Sequence, residues 1–520
     1  MNRKKPFRRW LWWLAGVVAG VPALLFLAAL AIVWYQRQHP ATPEVIAPLP
    51  LPVVAPDSVL GPLHTAARGA GAASRSLLHP APNALAVAAG TVLNVQFGRP
   101  PAPAEMAAIY AFSGQCQLRQ PLRATASGRV AQLARASGRF GAGEVVTVTG
   151  PGFGNQVRQF TVHAGEGGHA FGQQQVVPVR AQAGFLHVGD VDGDGDPDLL
   201  TANIADNTIS LRRNDGHGVF GGNEGIVFGA EDLSQLAVGD IDGDGDPDLL
   251  TAGGKNAIAR LWCNDGTGRF AQTWGVDMGD SDTSPAFGDV DGDGDLDVLF
   301  SVWAGRGAVV VRFNDGTGAF GGGSRVAVGS YPSAPALGDI DGDGDLDLLT
   351  ANYGGIRQSV SVRLNDGQGT FGGALDVTAG TYSQEVLLGD VDGDGDLDLL
   401  ARDDSHTAYL RLNDGHGMFR QRRAVYLGCR VEDIALHDVD GDGDLDLLGA
   451  VEPRGLVVPD RVSIWRNDGR GFFGANNQNR QDVIITASSD SFTMADVDGD
   501  GDLDLLAAAY DATVNIWLSE

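Results

Sequence analysis

The chain has 520 residues but only three cysteines, Cys116, Cys263 and Cys429, and three lysines, Lys4, Lys5 and Lys255. Three cysteines without a short repeated spacing exclude a zinc ribbon and a disulfide framework. Buried thiols are the expectation, with one extracytoplasmic bridge as the alternative. A formal net charge of −28 removes the basic face that a nucleic acid requires. There is no Gly-x-Ser-x-Gly, no His-Glu-x-x-His and no P-loop, so no motif marks a hydrolase, a zinc protease or a nucleotide site. Long apolar runs are missing after the N-terminus.

What is abundant is aspartate. Asp190-Val191-Asp192-Gly193-Asp194-Gly195-Asp196-Pro197-Asp198 returns six more times, from Asp240, Asp289, Asp339, Asp390, Asp438 and Asp496, at steps of 50, 49, 50, 51, 48 and 58 residues. One period repeated this often defines a repeat architecture. The seven loops hold 35 of the 65 acidic residues. Carboxylates at positions 1, 3, 5 and 9 of a tight turn converge, and each like-charge pair at about 4 Å costs on the order of 1–4 kcal/mol. A hard divalent cation relieves that repulsion. Calcium, with about six to eight oxygen ligands in flexible geometry, suits such a loop better than strictly octahedral magnesium. The position-6 glycine (Gly195) permits the turn that aims the position-7 carbonyl inward, and the Asp196 side chain points away. An EF-hand is excluded because position 12 is Thr201 and strand-like residues follow. The calcium β-helix is excluded because its period is about nine residues. A merely solvated turn does not account for seven copies with these positions fixed. The expectation is Ca²⁺ at about seven sites, which returns half of the net charge.

Residues 1–9 carry Arg3, Lys4, Lys5, Arg8 and Arg9, and Trp10 to Tyr35 follows without a charge. That run is long enough to span a bilayer, and the basic cluster keeps 1–9 cytoplasmic. Trp10, Trp12, Trp13, Trp34 and Tyr35 sit at its ends as interfacial anchors. A cleavable signal peptide ending near Ala29-Leu30-Ala31 is the rival reading. The run continues through Ile32-Val33-Trp34, which favours an anchor. Residues 36–520 are then extracytoplasmic, periplasmic or at the cell surface, or secreted after cleavage. Residues 36–78, rich in proline and then in alanine, read as a semi-rigid linker.

Residues 79–150 show short β-like runs at Thr91–Phe97, Ile109–Ser113, Arg129–Leu133 and Glu144–Thr149. The stretch Phe97-Gly98-Arg99-Pro100 and the closing Gly143-Glu144-Val145-Val146-Thr147-Val148-Thr149 resemble bacterial Ig-like domains of surface proteins. The resemblance implies a small β-sandwich that serves as a spacer.

Residues 151–520 repeat one plan. In one unit, Gln235–Val238 leads into the acidic loop, Leu249–Ala252 and Ala257–Cys263 follow, and Asn264-Asp265-Gly266 turns into a fourth strand near Gln272–Val276. Four short antiparallel strands per repeat describe a propeller blade. Asn-Asp-Gly returns at Asn214, Asn314, Asn365, Asn413 and Asn467 as a hairpin turn. The phenylalanines that follow, Phe220, Phe270, Phe320, Phe371, Phe419 and Phe473, are placed between neighbouring blades. The last unit stops after Thr513–Leu518, and Gln173–Val179 is left over at the start of the array. Ring closure by Gln173–Val179 as the outer strand of the last blade leaves no open edge at the seam. Gln156–His163 is either a further strand or a link.

The array resembles the FG-GAP/VCBS repeat family, whose best-known relative by fold is the integrin α-subunit propeller. The family motif Asp-x-Asp-x-Asp-Gly-x-x-Asp matches at all seven loops. The resemblance implies metal ligation by Asp190, Asp192, Asp194, Asp198 and the Asp196 carbonyl. In register it implies Asp240, Asp242, Asp244, Asp246 and Asp248; Asp289, Asp291, Asp293, Asp295 and Asp297; Asp339, Asp341, Asp343, Asp345 and Asp347. The remaining loops supply Asp390, Asp392, Asp394, Asp396 and Asp398; Asp438, Asp440, Asp442, Asp444 and Asp446; and Asp496, Asp498, Asp500, Asp502 and Asp504. His437 and Ala495 replace the glycine that precedes the loop elsewhere, leaving the ligands intact.

The expected fold is therefore all-β: a seven-bladed β-propeller, a small N-terminal Ig-like β-sandwich and one N-terminal transmembrane helix. Strand alternation puts acidic loops and Asn-Asp-Gly turns on one face and variable loops on the other, where binding usually sits. The variable loops offer Trp303, Arg306, Tyr353, Arg357, Asp403, His406, Arg454 and Tyr510, with Tyr331, Tyr382, Asp280 and Asp282 from the connections between units. The expected role is non-catalytic binding, adhesion or scaffolding at the cell envelope, toward a protein or glycan. The alternative is a carbohydrate-active propeller, lectin-like if the rim is flat and aromatic and enzymatic if Arg, Lys or Tyr converge on the channel.

Overall fold

The computed structural model describes residues 77–519 apart from short loop segments. The basic tail 1–9, the apolar segment 10–35 and nearly all of the linker lie outside the described residues, as do Asp280, Asp282, Arg357 and Arg454. Among the described residues the regular structure is almost wholly β, and no helix is long and apolar enough to cross a membrane.

The first part of the chain folds as two sheets. One is ordered Leu77–His79, Leu93–Gln96, Val130–Arg135, Leu122–Ser127; the other is ordered Ala84–Val87, Arg158–Val162, Val145–Thr149, Tyr110–Ser113, Leu118–Gln120. Alternating apolar residues from both, including Leu93, Val95, Leu133, Val146 and Val148, meet in one cluster. Arg158–Val162 pairs with Val145–Thr149 and places Phe160 and Val162 in that cluster. The N-terminal sheets therefore extend past the expected boundary at residue 150, because these two apolar side chains finish the same core.

From Phe171 onward the described residues form seven sheets of consecutive antiparallel strands. The first comprises Ala183–Gly189, Asp198–Asn203, Thr208–Arg213 and Gly221–Val227. The next five repeat that order, and the third splits its outer strand into Phe320–Gly321 and Arg325–Ala327. Each second strand is a run such as Asp198-Leu199-Leu200-Thr201-Ala202-Asn203, buried at every residue. It is apolar on both faces because each face packs against a neighbouring sheet. The outer strand Gln421–Tyr426 is mostly exposed.

The cores lie between sheets. Val191, Leu200 and Ile209 of the first sheet meet Leu236, Val238 and Leu249 of the second, and equivalent clusters join each later pair. Val177, Leu186, Val188 and Leu199 meet Val497, Leu506 and Ile516, joining the seventh sheet to the first. Phe220, Phe270, Phe320, Phe371, Phe419 and Phe473 pack in the clusters between their own sheet and the preceding one. The seventh sheet is ordered Phe171–Pro178, Thr513–Ser519, Asp504–Ala509, Ser491–Ala495. Its outer strand thus comes from the start of the array, with Val177 opposite Val514. An unpaired final strand would leave an adhesive edge, and this pairing removes it.

Candidate metal loops and the opposite rim

Each acidic loop joins the first and second strands of its sheet. In the first loop, Asp190 Oδ1 accepts from the Gly193 N–H (2.8 Å) and Oδ2 from the Gly195 N–H (3.0 Å), while Asp194 Oδ1 accepts from the Asp196 N–H (3.0 Å). Both glycines have positive φ, +76° and +99°, where a Cβ is strained. Only the second was expected from the sequence to need glycine. Asp198 is fully buried, accepting from the Asn214 N–H at 2.8 Å and the Val191 N–H at 3.2 Å. The other loops repeat this frame: Asp347 accepts from Asn365 and Ile340, and Asp398 from Asn413 and Val391.

Position 3 is the recurrent exception, joined in the second and sixth loops by both oxygens of Asp240, by Asp438 Oδ1 and by Asp446 Oδ2, which are buried and make no hydrogen bond. Oδ1 of Asp192, Asp242, Asp392 and Asp440 is buried and accepts no hydrogen bond from the protein. In Asp341 and Asp498 the same atom has one long bond of 3.3 Å from the position-5 N–H. Carboxylate oxygens from positions 1, 3 and 5, or 1, 3 and 9, lie within 4.8 Å of one another in Asp190/Asp192/Asp194, Asp240/Asp242/Asp244, Asp289/Asp291/Asp297 and Asp339/Asp341/Asp347. Buried acceptors without donors, converging in an all-oxygen set, fit a hard cation. Without one, burial raises the position-9 carboxyls: Asp198 to about 7, Asp248 to about 8 and Asp297 to about 9. Burial also raises Asp246, as does the negative charge of Asp190 in the preceding loop.

The seven loops are not equivalent. Arg213 pairs with Asp192 and Arg466 with Asp440, so the first and sixth loops carry a guanidinium on position 3. In the third loop, Thr149 Oγ1 of the N-terminal sheets donates to Asp289 Oδ2 at 2.5 Å. Arg119, 3.6 Å over the Tyr110 ring, opposes the upward shifts of Asp240 and Asp295 through its charge.

The Asn-Asp-Gly asparagine does more than turn the chain. Asn365 donates through Nδ2 to Val290 O of the preceding acidic loop (2.7 Å) and to Leu346 O of its own loop (3.1 Å), while its N–H binds Asp347. Asn264, Asn314, Asn413 and Asn467 make the same link to the preceding loop. Asn214 reaches Val497 O at 2.7 Å, across the junction between first and last sheets. The position-7 side chain lies by the glycine of the same turn: a Cβ at Gly216 would fall 2.6 Å from Asp196 Oδ2. That glycine, at φ +75°, leaves room for the carboxylate. Nothing in a single Asn-Asp-Gly announces these roles; its recurrence with each acidic loop is the signal that could have shown them.

On the opposite face, Trp303 touches Tyr331 (5.4 Å between centroids) and Tyr353 (5.8 Å), and Tyr353 touches Tyr382 (5.7 Å). Trp303, Tyr331 and Tyr382 are exposed. The other described candidates add no ring contact to this row. Asp403 is buried, with the Thr381 N–H 3.4 Å from its Oδ2, whereas Arg306, His406 and Tyr510 are exposed. Trp303 also lines a cavity of about 1030 Å³ with residues of the first strands, among them Ser234, Ser284, Glu385 and Asp433. Sequence reasoning missed Glu385, Arg402 and Asp433. Arg402 donates to Glu385 Oε2 at 3.2 Å and to the carbonyls of Val431 and Glu432. Burial, and then the neighbouring Glu385, push Asp433 well above the usual carboxylate range.

The FG-GAP-like repeat model matches residues 190–251, 240–300, 301–350, 339–401, 390–449 and 438–507. No curated protein matches the sequence. Among solved structures, an Agrocybe aegerita lectin, described as recognising non-reducing terminal N-acetylglucosamine, is 19% identical, with 79% of this chain and 94% of the lectin covered and a TM-score of 0.46. BBS1N in complex with ARL6DN is 12% identical over 68% of this chain and 97% of its own, with a TM-score of 0.48.

Two outcomes follow from the loop geometry. Asn365→Ala removes both Nδ2 bonds and leaves two buried carbonyls without that donor, so stability falls by roughly 1–3 kcal/mol. Calorimetric unfolding measures it, and an unchanged transition would contradict the link between loops. The second outcome concerns the cation-free protein. Its position-9 carboxyls bind protons more tightly when folded than their ordinary 3.8, as at about 8 in Asp347 and Asp398. The folded state therefore holds extra protons through this window and loses stability as pH rises. After exhaustive removal of divalent ions, Tm is expected to be higher at about pH 5.5 than at about pH 8; the reverse order would contradict the electrostatics.

Proposed function

Because the chain belongs to the FG-GAP-like repeat family, we propose that residues 171–519 form a seven-bladed β-propeller that holds calcium in its acidic loops and works as a non-catalytic binding or scaffold module at the cell envelope. The observation that carries the calcium reading is the buried, donorless Oδ1 of position 3 in four separate loops. Positions 1, 3, 5 and 9, with the position-7 carbonyl, are the residues that would hold the ion. Bound there, calcium supplies the positive charge that the crowded carboxylates lack. Seven sheets, and a core between the last and the first, support the blade count.

The contrast between faces supports a binding role. One face repeats the same acidic loop and asparagine link around the ring, and these groups are occupied with structure. The other is irregular and exposes aromatic side chains on a rigid base. In this reading residues 10–35 anchor the protein, the basic residues 3–9 stay cytoplasmic, and the N-terminal sheets act as an Ig-like spacer. The aromatic row at the rim favours glycan binding as the second reading, over the converging Arg, Lys and Tyr of an enzymatic channel.

Calcium is expected to raise the melting temperature of the full-length chain, because a ligand that binds only the folded state stabilises it by mass action. With site affinities of about 10⁻⁴–10⁻³ M, as in extracellular modules, the shift develops over the millimolar range and is reversed by chelator. Equal melting in calcium and in chelator would overturn the calcium reading.

A further inference from the structure

We infer that Trp303, Tyr331, Tyr353 and Tyr382 form a carbohydrate subsite, a curved aromatic shelf at the mouth of the central cavity that takes a neutral pyranose oligosaccharide. This rests on the reading of the ring as a binding module and gives that module its ligand class.

The repeats act as internal controls. Trp303 and Tyr353 each stand six residues after the last aspartate of their loop, where other repeats have Ile204, Gly254, Asp404, Glu452 and Tyr510. Tyr331 and Tyr382 each stand eight residues before a loop, where other repeats have Gln182, Asp232, Ser281, Arg430 and Ser488. If the blade itself required these rings, they would recur around the ring. Instead the two types alternate through the third, fourth and fifth sheets, so that four side chains touch in one row.

The row is held in place at a conformational cost. Tyr331 and Tyr382 have φ of +55° and +57°, a region unfavourable for a bulky side chain and open to glycine. Strain of this kind points to a use for the side chain. The backbone around it is pinned: the Tyr353 N–H donates to Tyr331 O, and the Gly354 N–H to Ser330 O, both at 3.0 Å. A Cβ at Gly354 would lie 2.8 Å from Tyr331 Cδ2, so this glycine lets the ring approach.

The chemistry selects a sugar. Aromatic faces are electron-rich, and the C–H face of a pyranose presents the complementary charge. Planes tilted by 55°, 31° and 49° to one another form a bent wall rather than a flat stack. Trp303 continues that wall into the cavity, whose lining adds the hydroxyls of Ser284, Ser301 and Ser333 and the amide of Gln384. Ser301 is 1% exposed, and its Oγ makes no hydrogen bond with the protein. An aromatic wall with a few polar groups in a concavity is the makeup of a small-ligand site. Arg402 in the same lining is tied to Glu385 and to the carbonyls of Val431 and Glu432, so this guanidinium is already engaged and does not call for an anionic sugar. A protein partner would need about 800 Å² of surface on each side, far more than a few exposed rings provide.

The test titrates the full-length, calcium-loaded chain with hexasaccharides of glucose, mannose, galactose and N-acetylglucosamine by calorimetry. At least one is expected to bind. Tyr331→Gly and Tyr382→Gly should each weaken it by about tenfold or more without lowering Tm, since glycine relieves the backbone strain. Trp303→Ala should abolish binding, Trp303→Phe should retain most of it, and Tyr510→Ala should leave it unchanged. No binding by any probe at about 5 mM, or binding untouched by the two glycine variants, would overturn the inference. The calcium-dependent Tm shift, measured on the same samples, separates that failure from failure of the propeller reading itself.

Discussion

Five aspartates within nine residues, repeated around a ring of sheets, create a crowding of like charge that the rest of the structure must accommodate. Part of the answer is local: in the first loop, N–H groups from its own turn point at positions 1, 5 and 9, and the other loops repeat much of that frame. Another part comes from the neighbouring turn, where an asparagine binds its own loop and the preceding one. What the protein does not satisfy is the inner oxygen of position 3 in four loops, with both oxygens of Asp240, Asp438 Oδ1 and Asp446 Oδ2 beside it. The asparagine whose N–H binds the position-9 aspartate of its own loop also holds the position-2 carbonyl of the preceding loop, so the acidic loops lie at the link between successive sheets. A cation held in a loop would therefore strengthen the junction between neighbouring sheets as well as the turn.

The loops are not answered alike. Arg213 and Arg466 bring a built-in positive charge to the first and sixth loops, and Thr149 reaches Asp289 from the N-terminal sheets. Each substitutes a protein group for part of what an ion would supply, so the loops should fill unequally. A description of seven equal sites omits this, because the modifying residues lie outside the nine-residue motif.

Much of the ring was legible in the sequence because its determinants are local and repeated. Apolar runs bounded by the same acidic turn mark the central strands, and the surplus strand before Val179 has one unpaired edge to join. Phe220 and its counterparts recur at the spacing of the sheets. The N-terminal boundary was less legible, since Phe160 and Val162 enter their core only through pairing with Val145–Thr149. The rim shows the same limit. Trp303, Tyr331, Tyr353 and Tyr382 were visible as loop aromatics, but their mutual contact depends on how three sheets set their loops side by side. Glu385, Arg402 and Asp433 carry no motif: register sets Glu385 opposite Arg402, and Asp433 comes from the next sheet packed beside them.

The most direct test of this account is the number of calcium ions the full-length chain binds. Equilibrium dialysis against about 1 mM free calcium, followed by elemental analysis, counts them. The account predicts about seven per chain, with the first and sixth loops filling last and each count falling by one when a position-3 aspartate such as Asp341 is changed to alanine. A protein that folds normally and binds no calcium would contradict it.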